Sequence, residues 1–545
     1  RHDSKRRNLL EKKHRMNKDQ GAADEPKGLS RGRRLRVWLR WVPLALIGIG
    51  AVGYIVVSWS REGLSRQHQN IETAKAVLIG SVLAFLWIVG MAWKRPVLRW
   101  GLLLGAVAAI GIGTMAFRIK GVTGDLVPIL EWRWSSTTVD PIQASAPAGA
   151  VPNRVLQSTN DYPQFLGPDR TGTLSWPQLD RDWSVHPPEV VWRQAVGAAW
   201  SGFAVAGDFA VTQEQRGDEE QVVCYELGTG TVLWVHSDAA RYATTIAGEG
   251  PRATPTIEGG RLFSLGATGR LNCLDLATGA LIWSHDAVTE NGAKVPDWGI
   301  TSSPLVTGEH VIVSVGGTDG RSLVAYEKES GAFAWGGGGG SVGYSSPQGV
   351  VLDGREQVVV FNNNGVASHE PGTGKVLWEY PWKGGHPHVA IPLVLPGNRL
   401  LVSSGYGTGS ELLSVSGSDS WEVLRLWKSN RLKSKFANLL YRDNYLYGLD
   451  DGILVCLEVE TGALRWKDGR YGHGQMILAG DLLLLSAESG DLVLIEPSPE
   501  ERRELARFPV FDSKTWNPHA LAGDILLMRN DREAACLRLP LRGNA

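Results

Sequence analysis

Residues 271–283 read LNCLDLATGALIW, and residues 454–466 and 222–234 repeat the pattern as LVCLEVETGALRW and VVCYELGTGTVLW. Each copy opens with alternating apolar and polar residues, reaches a Thr-Gly pair and ends four residues after the Gly in a Trp. Alternation with a period of two is typical of a strand, and Gly supplies the positive φ of a tight hairpin turn. The pattern predicts two antiparallel strands joined at Thr-Gly.

Looser copies of this unit occur at 323–335, 366–378, 411–427 and 492–508, the last ending in Phe. The strand 534–540 has no partner after it, and the strand 190–197 has no partner before it. Joining these two strands completes an eighth unit and leaves no bare sheet edge. The spacing of 39–52 residues between aromatic markers suits a four-stranded blade.

The sequence therefore predicts an all-β, eight-bladed β-propeller over residues 185–540, closed by its N- and C-terminal strands. Large flat rings at the end of each unit are suited to packing between neighbouring blades. We expect this docking role for Trp192, Trp234, Trp283, Trp335, Trp378, Trp427 and Trp466, with Phe508 as the eighth marker.

This repeat resembles the PQQ-like (pyrroloquinoline-quinone-like) repeat of quinoprotein alcohol dehydrogenases and of the β-barrel-assembly lipoprotein B. The stretch YPQFLGPDRTG at 162–172, together with 250–275, is similar to bacterial proteins described as PQQ-binding-like β-propeller repeat proteins. The resemblance covers about residues 160–540 and implies the propeller fold.

Three apolar runs at 37–59, 74–93 and 97–117 are each long enough to cross a bilayer. Residues 1–36 carry thirteen Lys and Arg against five acids, and Lys94, Arg95 and Arg99 lie between the second and third runs. The positive-inside rule then predicts a cytoplasmic N-terminus. An odd number of crossings predicts a propeller on the periplasmic side of a bacterial inner membrane.

The resulting organisation is a basic tail (1–36), a three-helix membrane anchor (37–118), a linker and lead-in (119–184), the propeller (185–540) and a short tail (541–545). The formal net charge of +0, from 56 basic and 56 acidic residues, argues against nucleic acid as a partner. The sequence leaves the oligomeric state open.

A second segment recurs two strands before each Thr-Gly unit, small or polar at first and then apolar, as in PRATPTIEGG at 251–260. The order of strands within each repeat makes these the innermost strands. Their first residues should therefore meet at one mouth of the central channel. The candidate ligand-binding residues at that mouth are Arg252, Trp298, Tyr344, His388, Lys435, Asn438, His473, Gln475 and His519.

Two interpretations of this mouth remain open. Its polar residues can satisfy backbone groups and waters inside a narrow channel. They can also form a pocket for a small anionic or planar ligand, since cations beside aromatic rings suit one. His386 and His388 form the one close histidine pair in the mouth, and no metal-binding spacing supports them, so we expect no metal site.

The resemblance to quinoprotein dehydrogenases implies an adjacent-cysteine disulfide, a Trp floor, a calcium ion held by acid and amide ligands, and an Asp base. No two cysteines are adjacent here. Cys224, Cys273, Cys456 and Cys536 occupy the same place in four repeats, which predicts small buried residues too far apart for disulfides. Asp297 has no evident catalytic partner. We therefore expect no cofactor and no catalytic residue, with PQQ and calcium as the alternative.

Two functions follow as hypotheses. The first is a membrane-anchored, non-catalytic scaffold that binds envelope proteins or polymers, and it rests partly on fold analogy. The second is a small-ligand-binding protein or a quinone-dependent oxidoreductase that uses the channel mouth, so the sequence leaves open whether the chain is an enzyme.

Overall fold

A computed structural model describes residues 39–61, 65–135, 140–142, 154–383, 387–417 and 420–543 of the chain. The basic tail 1–36 and His386 lie outside these residues. The chain divides into two compact units. One contains the residues up to Glu62 and Ile71–Gly113, and the other contains Gly63–Asn70 and Thr114–Ala545.

Three helices in the described part of the chain are long and apolar enough to cross a membrane: α1 (Val42–Ser60), α2 (Arg66–Met91) and α3 (Pro96–Ala116). They have 19, 26 and 21 residues, which at 1.5 Å per residue gives lengths of roughly 28, 39 and 32 Å. Trp59 donates its indole N–H to the Thr73 hydroxyl at 2.8 Å, which joins α1 to α2.

The region predicted as linker and lead-in contains regular structure. Strands β1 (Phe117–Val122) and β2 (Pro128–Trp132) form an antiparallel hairpin that begins directly after α3. Within the described strands, this hairpin is a two-stranded sheet of its own. Farther along, β3 (Thr173–Leu174) pairs in parallel with the innermost strand of a blade.

The described residues form eight four-stranded blades, which confirms the predicted fold class. From the channel outward, blades 1 to 4 contain β5 to β8 (Ala204–Ala206, Phe209–Arg216, Glu219–Glu226, Val232–Asp238), β11 to β14 (Thr256–Glu258, Arg261–Leu265, Arg270–Asp275, Leu281–Asp286), β15 to β18 (Leu305–Thr307, His310–Ser314, Leu323–Glu327, Phe333–Gly337) and β19 to β22 (Gln348–Leu352, Arg355–Asn362, Gly365–His369, Val376–Pro381).

Blades 5 to 8 contain β23 to β26 (Leu393–Leu395, Arg399–Ser404, Gly409–Ser416, Glu422–Ser429), β27 to β30 (Leu440–Arg442, Tyr445–Asp450, Ile453–Glu458, Leu464–Arg470), β31 to β34 (Gln475–Ala479, Leu482–Ser486, Asp491–Glu496, Arg503–Pro509), and β35 to β37 with β4 (Ala520–Ala522, Ile525–Arg529, Glu533–Arg538, Glu189–Ala195). A small hairpin, β9 and β10 (Ala243–Thr244, Gly248–Glu249), and a 3-10 turn (Thr289–Asn291) join blades. The core lies between the stacked blades.

The ring closes as the repeat predicts. The last blade strand, β37, pairs antiparallel with the first, β4, so that Cys536 lies opposite Trp192 and Ala535 lies opposite Arg193. Blade 8 is therefore built from both ends of the propeller sequence. Such closure gives β37 a strand partner and lets blade 8 pack against blade 1, so that no blade face at the end of the repeat stays exposed.

The aromatic markers join each blade to the next. In six places the indole N–H of an outer-strand Trp donates to a backbone carbonyl in the following blade at 2.7–3.1 Å. The pairs are Trp192 with Leu227, Trp234 with Leu276, Trp283 with Lys328, Trp335 with Pro371, Trp427 with Val459 and Trp466 with Ser498.

The Trp ring also explains the Gly of the Thr-Gly turn. A Cβ on Gly279 would lie 2.6 Å from the Trp234 ring, and a Cβ on Gly374 would lie 2.2 Å from the Trp335 ring. Both glycines have a positive φ, of 72° and 71°. Each Gly is therefore required twice, by its hairpin turn and by the ring that packs on it from the preceding blade.

Trp378 is an exception, because its N–H donates to the Gln357 side chain within its own blade at 2.8 Å. The four cysteines each lie opposite the Trp of their own blade, as Cys273 lies opposite Trp283. All four are buried and free. Burial raises the pKa of Cys273 to about 11. Their shared register explains why they form no disulfide.

Arg529, at the end of β36, is a buried cation at the ring closure. Its guanidinium donates to the carbonyl of Gly197 at 2.6 Å, to the carbonyl of Gln213 at 3.0 Å and to the hydroxyl of Thr212 at 2.8 Å. These partners belong to blade 1 and to the chain leading into it. Arg529 therefore links blade 8 to blade 1 in addition to the strand pairing.

Replacing Arg529 with Met should lower the free energy of unfolding by about 3 kcal/mol, because it leaves buried carbonyls without donors. Thermal or urea unfolding of the purified chain in detergent measures this. Arg538→Met is the matched control, because the Arg538 side chain is 51% exposed in its ion pair with Glu189. That control should change the free energy by less than about 0.5 kcal/mol. Equal effects would contradict the linking role of Arg529.

Candidate ligand chamber at the channel mouth

The first residues of the innermost strands converge at one end of the channel, where they line a chamber of about 340 Å³. Six of the nine residues that the sequence nominates lie in its wall: Arg252, Trp298, Tyr344, Lys435, Asn438 and Gln475. The repeat register brings them together, because each precedes or begins the innermost strand of its blade, and five blades contribute.

The wall of the chamber is mainly aromatic. Its rings are those of Phe165, Trp200, Trp298, Tyr344, Tyr406, Phe436 and Trp516. Their centroids form a connected series: Trp200 lies 5.0 Å from Trp516, Trp516 lies 4.9 Å from Phe436, and Phe436 lies 6.1 Å from Trp298. Such a wall suits a planar or apolar group.

The other three nominated residues, all histidines, do not line the chamber. His388 stacks on Phe361 with ring centroids 4.2 Å apart, and its Nδ1 lies 2.7 Å from the carbonyl of Asn362. His519 is buried with Nδ1 3.1 Å from the Ser486 hydroxyl, and burial lowers its pKa to about 4. His473 contacts an acid of the segment that covers the chamber.

That segment, the cover turn, comprises residues 122–127, from the last residue of β1 to the residue before β2. The cover turn contributes four residues to the chamber wall, Val122, Thr123, Gly124 and Leu126, and Gln67 also lines the chamber. The Lys435 ammonium donates to the carbonyl of Gly124 and to the side-chain oxygen of Gln67, each at 2.5 Å. The backbone N–H of Gly124 donates to the Glu488 carboxylate at 2.7 Å. The chain thus closes its own channel mouth.

Asp125 and Lys514 add to this closure. The Asp125 carboxylate lies 3.3 Å from His473 Nε2 and 3.4 Å from Arg470. Burial works to raise the pKa of Asp125, but its hydrogen bond with His473 and the nearby positive charges lower it overall. Lys514 donates to the carbonyl of Val122 at 3.0 Å. Every residue of the turn from Val122 to Asp125 except Thr123 is therefore held by a blade side chain.

Both lysines lie over aromatic rings. The Lys435 ammonium is 4.7 Å from the Tyr406 ring centroid, and the Lys514 ammonium is 4.0 Å from that of Trp516. Burial lowers the pKa of each lysine to about 8, against the opposing effect of Glu488 and other acids nearby. Each is a largely desolvated cation that the carbonyls of the cover turn and the ring faces stabilise.

A second segment that borders the chamber is the floor segment, residues 160–174, which contains the YPQFLGPDRTG stretch. It exchanges backbone hydrogen bonds with innermost strands of several blades, including Tyr162 with Val205 and the Ile257 N–H with the Pro163 carbonyl. Phe165 projects from it into the chamber wall. Two segments that precede the propeller in sequence therefore enclose the chamber.

Arg170 fixes the floor segment. Its buried guanidinium donates to the carbonyls of Ser303 and Pro304 at 3.1 and 2.9 Å, and burial lowers its pKa to about 9. The Gln348 side chain donates to the carbonyl of Arg170 at 3.3 Å. These bonds tie the floor to blades 3 and 4.

Three polar side chains of the chamber wall, Arg252, Asn438 and Gln475, have hydrogen-bond partners in the chain. Arg252 donates to the carbonyls of Ala247 at 2.9 Å and Gly248 at 3.0 Å, and its guanidinium lies 4.4 Å from the Tyr242 ring centroid. The Asn438 oxygen accepts from the N–H of Ile391, and Gln475 donates to two backbone carbonyls. The cations of the wall are thus directed at carbonyls of the same chain.

The residues around the chamber can be compared with the groups that PQQ and calcium would need as ligands. Aromatic walls suit the planar ring, but PQQ carboxylates need cations, and Lys435, Lys514 and Arg252 bind backbone carbonyls. In the part of the chain that the structure describes, no three His, Cys, Asp or Glu residues form a metal-binding group. With the cover turn in place, these residues do not fit the cofactor.

Sequence reasoning missed the cover turn, the floor segment, Lys514 and Glu488. The apolar alternation of PILEW at 128–132 after the Gly-Asp pair is a hairpin signal that could have located the turn. No local signal places that turn over the channel, because the contacts join residues more than 300 positions apart.

The closed ring of eight four-stranded blades with its recurring Trp and Gly contacts defines a β-propeller of PQQ-like repeats. The family described as outer membrane protein assembly factor BamB matches residues 218–468 and 383–539, which together span well over half of the 545 residues. The chain belongs to this family. Among curated proteins, none matches the chain.

Solved structures with the same fold include a europium-containing methanol dehydrogenase, 14% identical, with a TM-score of 0.54 over 69% of this chain and 90% of that one. A quinohemoprotein alcohol dehydrogenase from Comamonas testosteroni is 12% identical, with a TM-score of 0.50 over 70% and 81%. BamB from Moraxella catarrhalis is 16% identical, with a TM-score of 0.49 over 65% and 100%. At these identities the likeness concerns the fold.

The buried ammonium of Lys435 should give stability a specific pH dependence. Its pKa of about 8 in the folded protein lies below the ordinary value of 10.5, so the unfolded chain binds more protons between these values. The free energy of unfolding therefore rises with pH in that window, by up to about 3 kcal/mol from this residue.

Lys435→Met should lack this increment when unfolding midpoints at pH 7.5 and 10.5 are compared with those of the wild type. Lys428→Met is the control, because the Lys428 side chain is 53% exposed. The control should keep the wild-type pH response. An identical response in Lys435→Met would show that Lys435 does not bury its charge.

Proposed function

We propose that this chain is a non-catalytic interaction scaffold of the bacterial cell envelope, anchored in the inner membrane. The observation that carries the proposal is the cover turn, which lies in the channel mouth and binds the cations that would otherwise face a substrate. A channel mouth that the chain itself covers leaves the blade edges and the loops between blades as the accessible surfaces for partners.

The family supports the same function, because its description is that of an assembly factor for outer membrane proteins. An assembly factor acts by holding other proteins, which a rigid ring of blades can do without chemistry. We therefore propose envelope proteins or polymers as partners. The contacts of the cover turn at the channel mouth support a non-catalytic function independently of the family.

The proposed location is the periplasmic side of the inner membrane. Three helices long and apolar enough to span a bilayer precede the propeller in the described chain. The basic residues 1–36 and the Lys94–Arg99 turn favour a cytoplasmic N-terminus by the positive-inside rule. Three crossings then carry the propeller to the outer side.

Crosslinking tests the scaffold and its location together. Spheroplasts of the source cell that carry the tagged full-length chain would be treated with a membrane-impermeant amine crosslinker, and the chain would be purified under denaturing conditions. We expect propeller lysines to react and to join the chain to a defined envelope protein in near-stoichiometric yield.

Two results would count against the proposal. Propeller lysines that react only after the membrane is permeabilised would refute the periplasmic location. Propeller lysines that react fully while the chain is recovered as an unlinked species would refute the scaffold.

A second function, small-ligand binding, is favoured by one observation: the chamber of about 340 Å³ lies behind the cover turn with seven aromatic rings in its wall. The quinone-dependent form of this function requires PQQ to displace the carbonyls that now bind the wall cations. The adjacent cysteines that the quinoprotein resemblance implies are absent from the sequence. We therefore place this function second.

Incubating the detergent-purified chain with PQQ and calcium tests the quinone-dependent form. We expect no increase in the thermal midpoint and no dye-linked oxidation of alcohols or sugars, because the cations that would bind the carboxylates already have partners. A saturable rise in the midpoint that Lys435→Met abolishes, accompanied by dye reduction, would establish the oxidoreductase instead.

A further inference from the structure

The cover turn has the features of a bound ligand. Its fold is set by its own hydrogen bonds: the N–H of Leu126 donates to the carbonyl of Thr123, the N–H of Thr123 donates to the carbonyl of Val127, and the N–H of Val127 donates to the Thr123 hydroxyl, at 2.9–3.1 Å. The flanking strands pair with each other and, among the described strands, with no blade. The turn is therefore a separate element placed on the propeller.

The propeller recognises this turn mainly through its backbone. Lys435 and Lys514 donate to the carbonyls of Gly124 and Val122, and Glu488 accepts from the N–H of Gly124. These three side chains come from loops of blades 6, 7 and 8. Backbone groups are common to every polypeptide, so the contacts specify a turn geometry and not one particular protein segment.

Two residues of the turn, Gly124 and Asp125, add selectivity. A Cβ on Gly124 would lie 2.0 Å from the imidazole of His473, which is buried and packs against Phe436 with ring centroids 5.5 Å apart. The carboxylate of the next residue, Asp125, contacts His473 and Arg470. The mouth therefore selects Gly followed by an acid.

The chamber adds an apolar position. Leu126 lines the chamber of about 340 Å³, whose wall also contains Trp298, Phe436 and other rings. An aromatic side chain in place of Leu126 would bury more apolar surface there. The turn supplied by the chain itself is thus a partial match for its own site.

We infer that the channel mouth is a recognition site for a turn of a partner polypeptide that carries Gly-Asp followed by a large apolar residue, and that Val122–Val127 is its built-in competitor. This inference rests on the proposed scaffold function and adds the channel mouth, once the cover turn is released, to the surfaces that bind partners. Because the competitor is tethered, its effective concentration is in the roughly millimolar range, so a partner turn binds well only when it is a better ligand or when the cover turn is released.

Gly124→Ala tests the inference, because it expels the cover turn and leaves every propeller side chain intact. Gly121→Ala is the matched control in the same hairpin, since a Cβ on Gly121 would have its nearest neighbours at 3.6 and 3.7 Å. The probe is a fluorescent synthetic peptide of residues 117–132, added to the full-length chain in detergent, with binding followed by anisotropy.

We expect the peptide to bind Gly124→Ala at least tenfold more tightly than it binds the wild type or Gly121→Ala. A Leu126→Trp version of the peptide should bind more tightly again, and a Gly124→Ala version should bind at least tenfold more weakly. Lys435→Met combined with Gly124→Ala in the protein should remove the gain.

A second release variant, Asp125→Lys, guards against misfolding of the first, because it changes a partly exposed side chain outside the blades. It places a cation against His473, Arg470 and Lys435 and should give the same gain in peptide affinity. If neither variant gains affinity, or if the Gly124→Ala peptide binds as well as the unmodified one, the inference is wrong. The scaffold proposal would survive that result, because its crosslinking test depends on other surfaces as well.

Discussion

The contact between a Trp ring and a turn Gly in the next blade is the interaction on which the rest of this structure depends. The ring lies flat on a glycine that has no Cβ, and the indole N–H reaches a carbonyl of the same turn region. Each such contact buries a large aromatic surface and satisfies its one polar atom. Because one blade cannot bury both faces alone, the contact is useful only when repeated around a closed ring.

Closure of the ring in turn creates the channel and fixes what lies at its mouth. The innermost strands all run in the same direction, so the residues that precede them meet at one end. Without the cover turn, the mouth would expose two lysines and several aromatic rings to water. The cover turn instead supplies carbonyls to Lys435 and Lys514, and the floor segment places Phe165 on the other side. The function proposed for this protein follows from that enclosure.

Much of the fold and part of the site could be predicted from sequence because the repeat carries its own register. Once Thr-Gly and Trp fix the outer strands, the inner strands follow by counting, and Arg252, Lys435 and Gln475 fall at equivalent places. The histidines show that the position of a residue in the repeat does not determine where its side chain points. His388 and His519 occupy similar positions in the repeat, but stacking on Phe361 and a bond to Ser486 direct their rings into the blades and away from the chamber.

The sequence by itself determined the number of blades, the circular closure at Cys536 and Trp192, the helices long enough to span a membrane and the absence of adjacent cysteines. These features are local or periodic, so short-range patterns encode them. Only the tertiary structure decided that residues 122–127 and 160–174 enclose the chamber. Those contacts join segments hundreds of residues apart through single side chains and backbone groups, and no period in the sequence records which distant carbonyl a lysine will meet.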